Sequence, residues 1–122
     1  MNKRIWKTYN SELENMAEKN NGIKPKEQYL FHGTRGTAPE MIYGQDEGFD
    51  VRFSSKGMWG KAIYFAKNAL YSHAYRSKGP GLYQQMFYAR VMTGNSKLMP
   101  ENNSLKIPPL IEGSTKERYD SV

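Results

Sequence analysis

Cysteine is absent from this chain, which excludes disulfides and thiolate-bound metals. Histidine occurs only as His32 and His73, too few for an imidazole-built metal centre, and no metal ligand is nominated. Long apolar runs are missing too: no stretch approaches the ~20 residues of a membrane-spanning helix, and the charged N-terminus lacks the apolar core of a signal peptide. The expectation is an intracellular protein of cytoplasm or nucleus with no membrane partner. Blocks of like charge are also lacking, although the net charge is +6. Scattered basic residues do not mark a dedicated nucleic-acid surface; they suit a phosphate-bearing small molecule or an acidic partner equally well. Hydrophobic residues make up 38%, but nine Tyr, five Phe and two Trp supply large side chains for a core. The 122 residues suffice for one domain, 1–122.

KRIWKTYNSELENMAEK (3–19) places Ile5, Trp6, Tyr9, Leu13 and Met16 at near-helical spacing, which predicts an amphipathic helix with Trp6 as its core anchor. Asn20-Asn21-Gly22 supplies the stop, so 1–22 reads as an N-terminal helical segment. Tyr29 to Phe31 predict a short strand ending at His32-Gly33-Thr34, and 38–47 a short helix with Pro39 in its first turn. GFDVRFSSKGMWG (48–60) reads as a loop long enough to be functional. AIYFA (62–66) reads as a strand. In the helical segment that follows, Leu70, Tyr71 and Ala74 share a face, and SKGPG (77–81) forms a turn. In YQQMFYARVMTG (83–94), Met86, Tyr88 and Arg90 alternate with Phe87, Ala89 and Val91, as in a half-buried strand. From Asn95 to Glu117 the chain is polar and proline-punctuated, mostly loop, and RYDSV looks like the start of another element. Short strands mixed with short helices, without a βαβ rhythm, predict an α+β fold.

Residues with chemical potential cluster around the strand ends. His32 reads either as a strand cap satisfied by backbone or as a donor to a ligand hydroxyl, with Gly33 letting a ligand approach the main chain. Tyr64 in a strand reads as packing or as one wall of a slot. Ser72 lies one helical turn before Tyr75, on the same side. Two tyrosines can sandwich a flat ring while a hydroxyl holds its polar substituent.

Taken in order, LFHGT (30–34), GFD (48–50), MWGKAIYFA (58–66), LYSHAY (70–75), QMFYARVMTG (85–94) and RYDSV (118–122) resemble the catalytic domain of the poly(ADP-ribose) polymerase family, the diphtheria-toxin-like ADP-ribosyltransferases. The tyrosine-rich blocks are more similar to its mono-ADP-ribosylating members. The resemblance implies an α+β ADP-ribosyltransferase fold with a mostly antiparallel split sheet. It implies transfer of ADP-ribose from NAD to protein side chains, or to nucleic-acid ends, with release of nicotinamide. The alternative is a pseudoenzyme of the same fold that binds NAD or ADP-ribose without turnover.

By the same resemblance His32 bonds a ribose hydroxyl and Gly33 pairs through its backbone with the carboxamide, which Ser72 also bonds. Tyr75 stacks on the nicotinamide ring and Tyr64 completes the pocket. His32 and Tyr64 become the catalytic candidates; Thr34, Phe65 and Ala66 join the cofactor-binding set. Residues 48–60 become a donor loop over NAD, with Arg52 or Lys56 near the pyrophosphate. No metal is required.

Two departures stand out. Ala62 replaces a second glycine usual in the family. The family's closing strands, which carry its third catalytic position, follow the YDSV element, whereas this chain stops at Val122. The resemblance therefore implies an unpaired sheet edge and an uncovered core, hence either a fragment or a partner chain that supplies the strands.

Overall fold

A computed structural model describes residues 2–79 and 83–122. The chain opens with helix α1 (Lys3–Lys19), whose Asn2 cap accepts hydrogen bonds from the N–H groups of Arg4 and Ile5. The helix ends as its stop signal requires. Asn21 and Gly22 adopt left-handed backbone, and the Gly22 N–H bonds back to the Ala17 carbonyl at 2.8 Å. No residue of α1 is fully buried. Trp6, expected in the core, is 41% exposed; it stacks on Tyr9 at 6.0 Å.

Strand β1 (Glu27–His32) follows, and then α2 (Glu40–Tyr43). α2 is much shorter than the helix expected over 38–47, because Gly44 ends it. The loop from Gly48 contains a 3₁₀ turn (Val51–Phe53) capped by Asp50. It then closes into a small hairpin of β2 (Lys56–Gly57) and β3 (Gly60–Lys61). The expected strand over 62–66 does not form. Strand structure stops at Lys61, and Ala62 to Phe65 run irregularly beside β1. Only Ala66 pairs, exchanging both backbone hydrogen bonds with Phe31.

Helix α3 (Ala69–His73) is capped by Asn68. Its inward residue is Ser72, whereas Leu70, expected on the apolar face, is 76% exposed. β4 (Ser77–Lys78) pairs with β5 (Gln84–Gln85); residues 80 and 81 of the turn expected over 77–81 lie outside the described residues. β6 (Phe87–Met92) pairs antiparallel with β1 along its whole length, from Glu27↔Met92 to His32↔Phe87. The expected alternation holds there, with Tyr88 and Arg90 exposed and Phe87, Ala89 and Val91 half-buried. The final segment folds back on this strand's end. The Ser121 hydroxyl donates to the Thr93 carbonyl, and Asp120 accepts from the Asn95 N–H.

The β1–β6 ribbon has two faces. One carries Leu30, His32 and Phe87 inward, towards Phe49, which meets Phe87 edge-on at 5.2 Å. The other carries Glu27 and Arg90, which receive α1. Tyr9 donates to Glu27 at 2.5 Å, and the Arg90 guanidinium binds the same carboxylate at 2.8 Å. Arg90 also lies 5.8 Å from the Trp6 ring, so the tryptophan anchors through a cation and not through burial.

Candidate active site

One cavity of about 380 Å³ opens between the end of β1, the Gly48–Lys61 loop and α3. Its walls include every site residue expected from the sequence: His32, Gly33, Thr34, Tyr64, Phe65, Ala66, Ser72 and Tyr75. Lys56 joins them, whereas Arg52 is not among the lining residues. Arg52 instead turns back on Asp50, donating from Nε to the carboxylate at 2.6 Å. This pairing holds the Asp50 carboxyl below its ordinary range.

His32 ends β1 with its ring between Phe49, at 5.0 Å edge-on, and Phe65, at 5.2 Å. Its Nδ1 lies 2.5 Å from the Tyr64 carbonyl oxygen. A carbonyl only accepts, so Nδ1 carries the hydrogen. Burial against the two phenylalanines pushes the His32 pKa down, and the Tyr64 carbonyl opposes that only in part. The neutral imidazole then presents Nε2 without a hydrogen. This reverses the polarity expected from the sequence, because neutral His32 accepts from a ligand hydroxyl and does not donate to it.

Gly33 is required by packing. A Cβ there would sit 2.4 Å from the Tyr75 carbonyl carbon and 2.6 Å from the Ser72 carbonyl oxygen. The space spared by the missing side chain is thus filled by protein backbone, not held open for a ligand. Strand alternation directs the Gly33 N–H and C=O to the side on which Phe31 meets Ala66. Outside the strand ladders no hydrogen bond engages either group among the described residues. Thr34 Oγ1 beside it is buried without a partner.

Ser72, 4% exposed, donates its hydroxyl hydrogen to the Phe31 carbonyl at 3.0 Å. Its lone pairs remain, so it can accept from an amide NH₂. Tyr75 follows on the next turn, where Tyr71 approaches its ring at 5.8 Å and the Arg35 guanidinium lies 4.4 Å from its centroid.

Tyr64 acts inward as well as outward. Its hydroxyl donates to the Gly60 carbonyl at 2.6 Å and accepts from the Trp59 N–H at 3.0 Å, so it closes the β2–β3 hairpin. Gly57 lies flat against its ring. Trp59 in turn donates from Nε1 to the Pro100 carbonyl at 3.1 Å, tying the hairpin to the C-terminal loop.

Sequence reasoning missed Phe49, Asp50 and Arg35. Phe49 stood in the GFD block, but nothing local ties it to His32. Arg35 carries no motif; only the left-handed backbone beyond His-Gly-Thr brings it to Tyr75.

Residues 2–121 match the family described as poly(ADP-ribose) polymerase catalytic domain. The chain belongs to that family. It is 39% identical over 100 residues to a probable poly [ADP-ribose] polymerase of Dictyostelium discoideum, covering 78% of this chain and 29% of that protein. It is 35% identical over 117 residues to the human protein mono-ADP-ribosyltransferase PARP12, covering 96% of this chain and 16% of that protein. Mouse protein mono-ADP-ribosyltransferase PARP10 is 35% identical over 103 residues, covering 81% of this chain and 10% of that protein. The chain therefore spans less than a third of the length of these relatives. The mixed helices and antiparallel strand pairs are the α+β architecture of a poly(ADP-ribose) polymerase catalytic domain.

Proposed function

We propose that this domain is an NAD-dependent ADP-ribosyltransferase that attaches single ADP-ribose units to protein side chains and releases nicotinamide. One observation carries the reading: His32, Gly33, Tyr64, Ser72 and Tyr75, distant in sequence, line a single cavity with complementary hydrogen-bonding groups. Its volume of about 380 Å³ falls in the usual range for small-molecule sites. The names of the PARP12 and PARP10 relatives support single-unit transfer.

In this reading, Gly33 offers an N–H donor and a C=O acceptor to the nicotinamide carboxamide, while Ser72 accepts from the amide nitrogen. Tyr75 stacks on the ring, and Tyr64 and Phe65 complete the slot. His32 accepts a ribose hydroxyl at Nε2, with its ring angle fixed by the Tyr64 carbonyl. Lys56 meets the pyrophosphate in place of Arg52, whose charge Asp50 already occupies. Thr34 Oγ1 gains the partner it lacks. Orientation of ring and ribose is the main contribution of these groups, since the glycosidic bond breaks towards an oxocarbenium-like state that asks little covalent help.

The deciding experiment incubates the protein with labelled NAD and follows ADP-ribose on protein side chains by mass spectrometry. A parallel arm offers phosphorylated nucleic-acid ends. Transfer to protein that falls roughly a hundredfold in His32→Ala supports the enzyme. Saturable NAD binding without transfer identifies a pseudoenzyme. Failure to bind NAD or nicotinamide refutes both.

A further inference from the structure

Arg35 follows His32, Gly33 and Thr34 in left-handed backbone, with φ of 51°. Two contacts hold it to the turn after α3. Its N–H donates to the Tyr75 carbonyl at 2.7 Å, and its guanidinium lies 4.4 Å from the Tyr75 ring centroid. Arg35 lines the same cavity as Tyr75, and it also borders a more open groove of about 540 Å³.

The charges around this cavity are unequal. Asp50 is the one carboxylate among the lining residues, and Arg52 neutralises it. Arg35 and Lys56 both line the cavity, and neither pairs with an acid among the described residues. Neutral His32 adds no positive charge of its own. The Tyr75 wall is therefore flanked by a fixed cation with no counter-ion.

A cation beside an aromatic wall discriminates between flat ligands by their charge. We infer that Arg35 makes the cavity favour a neutral planar ring over a cationic one, and so weakens the bond joining a pyridinium ring to its ribose. The inference rests on the reading that the cavity takes NAD. In NAD the nicotinamide ring is cationic. When its bond to ribose C1′ breaks, the electron pair passes to the ring nitrogen and the ring leaves neutral. The positive charge moves to C1′ and the ribose ring oxygen, away from Tyr75. The acceptor then bonds C1′ and releases its proton to solvent. A ring stacked on the Tyr75 face opposite the guanidinium would stand roughly 8 Å from it, close enough for like charges to alter an affinity about fivefold at a half-exposed site. That repulsion acts on the bound pyridinium and fades as the charge leaves, so it favours bond cleavage over the ground state. Arg35 touches no reacting atom here; it is a positioning residue that works through the Tyr75 wall.

The test compares binding of nicotinamide with binding of 1-methylnicotinamide, its permanent cation, in the wild type, Arg35→Asn and Arg35→Lys. Asparagine tolerates left-handed backbone, so Arg35→Asn removes the charge while keeping the turn, and a thermal melt confirms folding. The added methyl group costs the same in every variant and cancels from the comparison. The ratio of the two affinities should move about fivefold towards the cation in Arg35→Asn and stay at the wild-type value in Arg35→Lys. In transfer assays kcat should fall by a similar factor in Arg35→Asn and recover in Arg35→Lys. An unchanged ratio in Arg35→Asn, whether both affinities hold or fall together, overturns the inference and leaves the NAD reading standing. A wild-type protein that binds neither nicotinamide nor NAD overturns the NAD reading and this inference with it.

Discussion

His32 is held by forces that oppose each other. The Phe49 and Phe65 rings strip water from its imidazole and disfavour the charged form, while the Tyr64 carbonyl favours it; burial is the larger influence. The folded pKa thus lies below the ordinary 6.5. Between those two values the unfolded chain binds more protons than the folded one. Stability from neutral His32 is fully present above pH 6.5 and is lost as pH falls towards the lowered value. A melting series from pH 7 to pH 5 should show a declining midpoint that His32→Gln flattens. Glu27 and Glu112 titrate below 4.5 and stay out of this window. An equally steep decline in the variant would show that His32 is not its source. At Gly33 the constraint is steric. Any Cβ meets the Tyr75 and Ser72 backbones, which cannot swing aside as a side chain does. Gly33→Ala should lower stability by about 1–3 kcal/mol, read by urea denaturation, and displace Tyr75 with it.

The β2–β3 hairpin shows how an element can hang on one hydroxyl. Its strands are two residues each, too short for ladder bonds alone to hold. Tyr64 supplies a donor and an acceptor across the turn, and Gly60, at φ 83°, lets the chain pass against the Leu105 carbonyl. Tyr64→Phe keeps the ring as a cavity wall but strands the Trp59 N–H and the Gly60 carbonyl. The expected cost is about 1–3 kcal/mol, seen locally as faster hydrogen exchange at the Trp59 amide. Exchange as slow as in the wild type would mean that the hydroxyl does not close the hairpin. This element also marks the limit of what the sequence discloses. The alternation in AIYFA is real, yet a strand needs a neighbour, and only Ala66 meets one, at Phe31. Residues 87–92 carry a similar pattern and pair fully, because β1 lies alongside them. Local pattern marks the alternating faces of 87–92, but it misplaces Trp6 and Leu70, and pairing depends on distant chain. The same limit governs the cavity. His32-Gly33 and Ser72–Tyr75 are local motifs and could be read directly, whereas the Phe49 and Arg35 contacts exist only once loop and turn have folded together.

At the scale of the molecule, little apolar surface is fully buried: among the described residues Leu30 and Ile42 form the buried apolar core. Composition did not reveal this, since the abundant tyrosines are core-sized yet Tyr29, Tyr71, Tyr83 and Tyr88 are exposed. Cohesion falls instead to the Phe49–Phe65–Phe87 cluster, the Tyr9–Glu27–Arg90 anchor and the hydrogen bonds around the cavity. Because the cavity draws its walls from β1, the loop and α3, a ligand there bridges three segments already joined by the Ser72–Phe31 hydrogen bond and the His32–Phe49 contact. Ligand binding to the native state alone stabilises by mass action, about 2.7 kcal/mol at a hundred times Kd. For a domain of this size that amounts to a rise in Tm of roughly 10 °C. Saturating nicotinamide should produce such a rise in the wild type and a much smaller one in Ser72→Ala, whose acceptor for the amide nitrogen is gone. Differential scanning fluorimetry at fixed pH 7.5 separates this from the His32 titration. Equal shifts in both proteins would place nicotinamide elsewhere on the molecule.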